Sequence, residues 1–192
     1  HQVDSALFAL HSPLSKGVIL ADEVGLGKTI EASLVIAQRW AERRRRILLI
    51  VPASLRKQWQ QELRDKFSLP SRILDARTAR ELVKAGQPRP FDSTSEIILT
   101  SYEFAARRAD DVARISWDLV VFDEAHRMRN VYKKSGSARA KALRDALDER
   151  FKILLTATPL QNSLLELYGL VSVIDGNFFG DENTFKTMYG GA

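Results

Sequence analysis

Five short runs constrain this chain more than anything else in it: residues 18–21, 47–51, 96–100, 119–122 and 152–156. Each is strand-sized and rich in Val, Ile and Leu. They are mostly apolar along their length instead of alternating, so both faces of each strand must be covered. Residues 72–75 are a candidate sixth. Helix-like stripes lie between the runs: Ile30, Leu34 and Ala37; Leu55, Trp59 and Leu63; Ala140, Leu143 and Leu147; and Leu164, Leu167, Leu170 and Val171. Strand–helix alternation of this kind predicts an α/β domain with a mostly parallel central sheet and helices on both faces. Residues 87–90 and 92–95, rich in Pro, Ser and Thr, read as a loop before a strand, and 133–137 as a polar turn.

The chain has 192 residues, 45% hydrophobic and 28% charged, long enough to build a core without a disulfide or structural metal. It contains no cysteine, which excludes a disulfide framework, a cysteine zinc site and a cysteine nucleophile. No apolar run has the length of a membrane span, so no membrane partner is expected. Lys and Arg number 29 against 24 Asp and Glu, a modest excess that permits a polyanionic partner without demanding one. Residue 1 is His and no signal-like segment opens the chain, so a piece of a longer cytoplasmic protein is expected, nucleoid-associated if prokaryotic.

The segment from Ile19 to Ile30 reads ILADEVGLGKTI: an apolar run, a glycine-bearing loop, Lys-Thr, then an amphipathic stripe. This is the context that a phosphate-binding loop requires. Gly25 and Gly27 allow backbone N–H groups to turn inward and cradle an anion. A helix starting near Lys28 would add its positive end. Lys28 can reach β- and γ-phosphates, and the Thr29 hydroxyl can ligate Mg²⁺. The strict pattern has Gly where this chain has Asp22. The plainer alternative is a strand-to-helix turn that happens to contain glycine.

A phosphate loop works with carboxylates at the end of another buried strand. Residues 119–122 form such a run, and Asp123, Glu124, Ala125 and His126 follow it. Asp123 would hold Mg²⁺ through water, and Glu124 would polarise an attacking water. An Asp-Glu pair after a strand is otherwise an ordinary solvated turn.

Together these segments resemble the superfamily-two helicase-type ATPases, and more closely the Swi/Snf-like ATPases. The resemblance runs through LADEVGLGKTIEA (Leu20 to Ala32), LLIVPASLRKQW (Leu48 to Trp59), TSYE (Thr100 to Glu103), DEAH (Asp123 to His126) and LLTATPLQN (Leu154 to Asn162). That family also has Asp at the position of Asp22. Val24 and the short spacings are more similar to bacterial or archaeal members, including the RNA-polymerase-associated type. The resemblance implies a first RecA-like P-loop lobe over residues 1–175, with 176–192 a lobe edge or the start of a connection to a second lobe. It implies ATP and Mg²⁺ as cofactors, with Asp22, Gly25, Leu26, Gly27, Lys28 and Thr29 at ATP, Thr29 and Asp123 at the metal, and Glu124 catalytic. Gln2 would contact adenine.

Ser54, Arg56 and Lys57 follow one strand, and Thr100, Ser101 and Tyr102 another; both segments could grip nucleic-acid phosphates without reading bases. Helix caps at Ser54 and Ser101 are the structural alternative. The resemblance implies that Thr156 and Thr158 link the nucleotide site to the nucleic-acid track, the alternative being a plain strand-ending turn, while His126 would couple the nucleotide to the rest of the domain or serve as a polar packing residue. Arg43 to Arg46 read as a solvated run at a helix C-terminus. The expected function is the ATP-binding lobe of a double-stranded DNA translocase that remodels DNA–protein complexes, with a second RecA-like lobe in the same chain and a DNA-bound protein cargo. Two alternatives stand beside it: the lobe of a strand-separating RNA or DNA helicase, and a nucleotide-dependent binding switch without motor activity. Lys28→Ala is expected to abolish most MgATP binding while the chain stays folded, which calorimetry on the full-length protein checks.

Overall fold

The computed structural model describes residues 16–21, 25–132, 138–156 and 164–174. Among these, six strands form one sheet: β1 (Gly17–Ala21), β2 (Ile47–Val51), β3 (Ser71–Ile73), β4 (Ile97–Ser101), β5 (Leu119–Phe122) and β6 (Lys152–Thr156). Their spatial order is β1-β6-β5-β2-β4-β3, and every neighbouring pair is parallel. The helices are α1 (Gly25–Ala41), α2 (Arg56–Phe67), α3 (Ala76–Lys84), α4 (Tyr102–Arg107), α5 (Ala109–Ala113), α6 (Ala138–Ala146) and α7 (Leu164–Ile174), with 3₁₀ segments at Ala53–Leu55 and Ala125–Tyr132.

The apolar runs become strands because both of their faces are covered. Ile47, Leu49 and Val51 point to a cluster with Ala32 and Ile36 of α1 and Trp59 and Leu63 of α2. Leu48 and Ile50 point the other way, to a cluster with Ala79 of α3, Phe104 of α4, Val112 of α5, Leu143 of α6 and Leu170 of α7. The period of two sorts alternate residues onto the two faces. Each fully buried Leu, Ile or Phe contributes about 1.5–3 kcal/mol to holding the layers together.

Several local expectations shift, among them the candidate strand at 72–75, which is β3 at Ser71–Ile73. The run at 96–100 is displaced by one residue, so Ser101 is the last residue of β4 and its hydroxyl accepts from the Phe104 N–H at the start of α4. Leu147 falls just past the end of α6 but is still buried. Helix α1 begins at Gly25, a turn earlier than expected. Helix α3 has a local cause: the Asp75 carboxylate accepts from the Thr78 N–H at 2.8 Å, and this bond holds its carboxyl below the usual carboxylate range.

At the start of β1 there is no room for a side chain. A Cβ on Gly17 would lie 2.3 Å from the Lys152 carbonyl oxygen of β6. The arginine run sits at this N-terminal edge of the sheet. Arg45 stacks on Trp40 and donates to its carbonyl, while Arg46 pairs with Asp92 at 3.0 Å. Arg44 is exposed, with Glu42 at 3.9 Å. Among the described residues, no helix is long and apolar enough to cross a membrane.

Candidate functional site: a cleft at the C-terminal edge of the sheet

Because every strand runs the same way, every strand delivers its following loop to one edge, where α/β sheets hold their ligands. The register brings the motif residues there side by side. Ala21 at the end of β1 pairs with Thr156 at the end of β6, and Phe122 of β5 pairs with Leu154 two residues earlier. The Asp123–Glu124 turn therefore emerges beside Thr156 and one strand away from β1. A cleft of about 250 Å³ opens here, lined by Thr29, Leu55, Gln58, Trp59, Glu62, Asp123, Glu124, His126, Leu155 and Thr156.

The strand period explains which way Asp123 faces. Phe122 packs in the cluster on the α3–α7 side. The next residue in an extended chain points to the opposite face, which is the side of α1 and α2. There the Asp123 Oδ2 accepts from the Trp59 indole Nε1–H at 2.8 Å. Oδ1 accepts from the Glu124 N–H at 2.8 Å. The backbone is held as well: the Asp123 N–H donates to the Ile50 carbonyl at 2.9 Å, and the Asp123 carbonyl accepts from the Tyr102 hydroxyl at 2.6 Å. Burial, then the Asp123 charge, pushes the Tyr102 phenol well above its usual 10.0, so it remains a donor throughout the neutral range.

Glu124 has φ 49°, in the left-handed region that L-residues avoid. The conformation turns the chain sharply out of β5, and the side chain stays 43% exposed at the cleft with Arg127 Nε 3.6 Å away. A strained non-glycine residue at a cleft is the kind of feature that function maintains. His126 is exposed at the rim, and Thr156 is buried at the floor.

The first residues of α1 are Gly25, Leu26, Gly27 and Lys28. The first four N–H groups of a helix have no intrahelical acceptor, so the expected anion cradle and the helix N-terminus are one structure. Gln2, Asp22 and Thr158 lie outside the described residues. Thr29 and Asp123 line the same cleft and offer hard oxygen donors. That donor set fits Mg²⁺, which takes one or two protein oxygens and fills its remaining positions with phosphate and water.

The two predicted nucleic-acid segments differ. Ser54 and Lys57 are exposed beside the cleft, and neither the Ala53–Leu55 turn nor α2 has a side-chain cap, so Ser54 is not serving as one. Arg56 is half-buried and its Nε donates to the Ala53 carbonyl at 3.0 Å. Thr100, Ser101 and Tyr102 instead face inward. Thr100 donates to the Leu74 carbonyl at 3.0 Å, Ser101 caps α4, and Tyr102 reaches Asp123. Their side chains are committed to the fold, and only the main chain of that segment remains to meet a ligand.

Sequence reasoning counted Trp59 as one residue of an apolar stripe and did not connect it with Asp123. The available signal was chemical: a buried indole carries one N–H, which needs an acceptor.

The parallel sheet, the glycine-Lys-Thr entry into α1 and the carboxylate turn after β5 together define a RecA-like domain of the helicase-type ATPases. The chain belongs to the SNF2-related domain family, whose sequence model matches residues 1–190. It is 34% identical over 192 residues to the uncharacterized ATP-dependent helicase YqhH of Bacillus subtilis (strain 168), covering 98% of this chain and 31% of that protein. It is 37% identical over 175 residues to the RNA polymerase-associated protein RapA of Yersinia pestis (strain Pestoides F), covering 88% and 18% respectively. The Sulfolobus solfataricus SWI2/SNF2 ATPase core, solved in complex with dsDNA, superposes with a TM-score of 0.70 at 25% identity over 97% of this chain and 37% of that one. The chain thus spans less than a third of the length of these two relatives, and corresponds to the first RecA-like lobe of the ATPase core.

The left-handed turn gives a stability test. At an ordinary position Gly is less stable than Ala, but at Glu124 the order should reverse. Glu124→Gly should unfold at higher denaturant than Glu124→Ala, by about 1 kcal/mol, because a Cβ is costly in this conformation. Urea titration of the two variants side by side measures the difference.

Proposed function

We propose that this chain is the ATP-binding lobe of an ATP-dependent translocase that moves on double-stranded DNA and displaces or remodels proteins bound there. The observation that carries the reading is the convergence of Thr29, Asp123 and Glu124 on one cleft beside the N-terminus of α1. Membership of the SNF2-related family supports ATP as the nucleotide. The dsDNA in the related Sulfolobus complex supports duplex DNA as the track.

In this reading the N–H groups of Gly25, Gly27 and Lys28 bind the phosphates, and the Lys28 ammonium sits against the β- and γ-oxygens. Thr29 and Asp123 would hold Mg²⁺, which when bound neutralises charge on those oxygens. Glu124, left exposed to the cleft by its left-handed turn, orients a water toward the γ-phosphorus and takes up its proton. The γ-phosphoryl passes to that water and ADP leaves. Asp22 borders the loop, Leu26 lies within it, and Gln2 reads adenine. His126, Thr156 and Thr158 relay the state of this cleft to the track. Exposed Ser54 and Lys57, with Arg56 and the main chain at Thr100–Tyr102, contact DNA phosphates.

The lobe is half of the machine. A second RecA-like lobe in the same full-length chain would supply the arginines that stabilise charge on the transferred phosphoryl, worth about 10³–10⁵ in rate. Cargo of the polymerase type is supported by the likeness to the RNA polymerase-associated RapA. The protein would act on DNA in the cytoplasm or nucleoid. A strand-separating helicase is the second reading, favoured by the likeness to a protein named as a helicase; strand displacement by the full-length protein would select it.

The test is steady-state ATPase with and without duplex DNA. Residues 1–192 alone should bind MgATP but turn over very slowly, with little stimulation, whereas the full-length protein should be strongly stimulated. Equal DNA-stimulated turnover by the two would refute the two-lobe mechanism.

A further inference from the structure

Asp123 is held from two directions by donors that belong to neither the phosphate loop nor its own turn. Trp59 of α2 donates to its carboxylate at 2.8 Å, and Tyr102 of α4 donates to its carbonyl at 2.6 Å. Both donors are buried aromatic residues, 3% and 8% exposed, so neither moves without its helix. Trp59 also adjoins, and Tyr102 belongs to, a segment proposed above to contact DNA, the second through its main chain alone. Lys57 and Trp59 share the first turn of α2, two residues and about 3 Å of helix rise apart, one exposed and one buried. Tyr102 is the first residue of α4, immediately after Thr100 and Ser101.

We propose that Trp59 and Tyr102 are positioning residues that fix the orientation of Asp123 toward the metal and transmit the DNA-bound state of α2 and α4 to it. The proposal rests on the ATPase reading of the cleft.

The choice of donor suits the task. Each carboxylate oxygen has two lone pairs, and an N–H directed at each oxygen fixes the plane of the group. The indole and the main-chain amide are neutral donors, so neither of them adds a positive charge beside the carboxylate. A lysine or arginine in the place of Trp59 would compete with the cation for the same carboxylate. The geometry also leaves little slack. The Asp123 N–H is anchored to Ile50 at 2.9 Å in the middle of the sheet. A shift of α2 against the sheet therefore acts on the carboxylate through Trp59, and a shift of α4 acts on the Asp123–Glu124 peptide, whose N–H holds the other carboxylate oxygen. Groups that orient a metal-binding residue in this way typically change metal affinity or activity about 10–100-fold when removed.

The experiment measures ADP binding to the full-length protein by calorimetry across a Mg²⁺ titration, with and without duplex DNA. No turnover is involved. In the wild type, duplex DNA should lower the half-saturating Mg²⁺ about fivefold or more, the size expected of a coupling between two sites. Trp59→Phe keeps an aromatic ring in the core and removes the N–H. It should raise the half-saturating Mg²⁺ about tenfold and abolish the effect of DNA, with metal-free ADP affinity unchanged. Tyr102→Phe removes only the hydroxyl and should also abolish the effect of DNA, which keeps the proposal testable if the tryptophan variant folds poorly. Wild-type Mg²⁺ dependence and an intact DNA effect in folded variants would overturn the proposal. So would an equal loss of metal-free and Mg²⁺-dependent affinity, which marks a merely structural role. Failure of the wild type to bind ADP with Mg²⁺ at all would instead overturn the ATPase reading on which the proposal stands.

Discussion

Parallel strand pairing is the constraint from which the rest of this molecule follows. Backbone hydrogen bonding in register, with β6 between β1 and β5, brings the C-terminal ends of β1 and β5 to the same edge of the sheet, one strand apart. A parallel strand cannot return to its neighbour by a tight hairpin, so each connection must cross a face of the sheet, as a helix in most cases. Those helices cover the two faces and leave the central strands β2 and β5 apolar throughout. The same directionality sends the loops after β1, β2, β4, β5 and β6 to one edge. The opposite edge, where Arg45 and Arg46 are tied to Trp40 and Asp92, is left to hold the fold together.

Within that frame several hydrogen bonds converge on one residue. Asp123 receives the Glu124 amide and the Trp59 indole on its carboxylate, and bonds to Ile50 and Tyr102 through its backbone. Its neighbour Glu124 takes up the turn at positive φ and keeps its carboxylate at the cleft. Rigidity in the first and exposure in the second are complementary. Under the proposed function, a carboxylate that holds a metal benefits from a fixed plane, while one that activates water needs access to the cleft.

The features legible in the sequence are those whose cause is local. Strands β2, β5 and β6 have the boundaries that their apolar runs imply, because burial on both faces leaves a continuous pattern. The entry into α1 at Gly25–Thr29 and the Asp123–Glu124 turn after β5 are legible as a strand-to-helix step and a strand-ending turn, because each is written in consecutive residues. Helices α4 and α5 are not, because at 6 and 5 residues they are too short to establish a period. The donors to Asp123 are hidden for another reason. Trp59 is 64 residues away and Tyr102 is 21 away, and only the strand order brings them to the same point. Residue type alone also misdirects at Thr100–Tyr102, where polar side chains after a strand look available to a phosphate but are spent on Leu74, the α4 cap and Asp123.

The central claim is that one cleft, floored by Thr156 and walled by Thr29, Asp123 and Glu124, is where the terminal phosphate of ATP reacts. The most direct test is a crystal structure with Mg²⁺, ADP and beryllium fluoride as a stand-in for the γ-phosphoryl group. The account predicts the cation between Thr29 and Asp123, bound directly or through water, with Trp59 still donating to the carboxylate and Glu124 facing the beryllium across one water. Phosphates seated away from the N-terminus of α1, or an Asp123 turned from the cation, would contradict it.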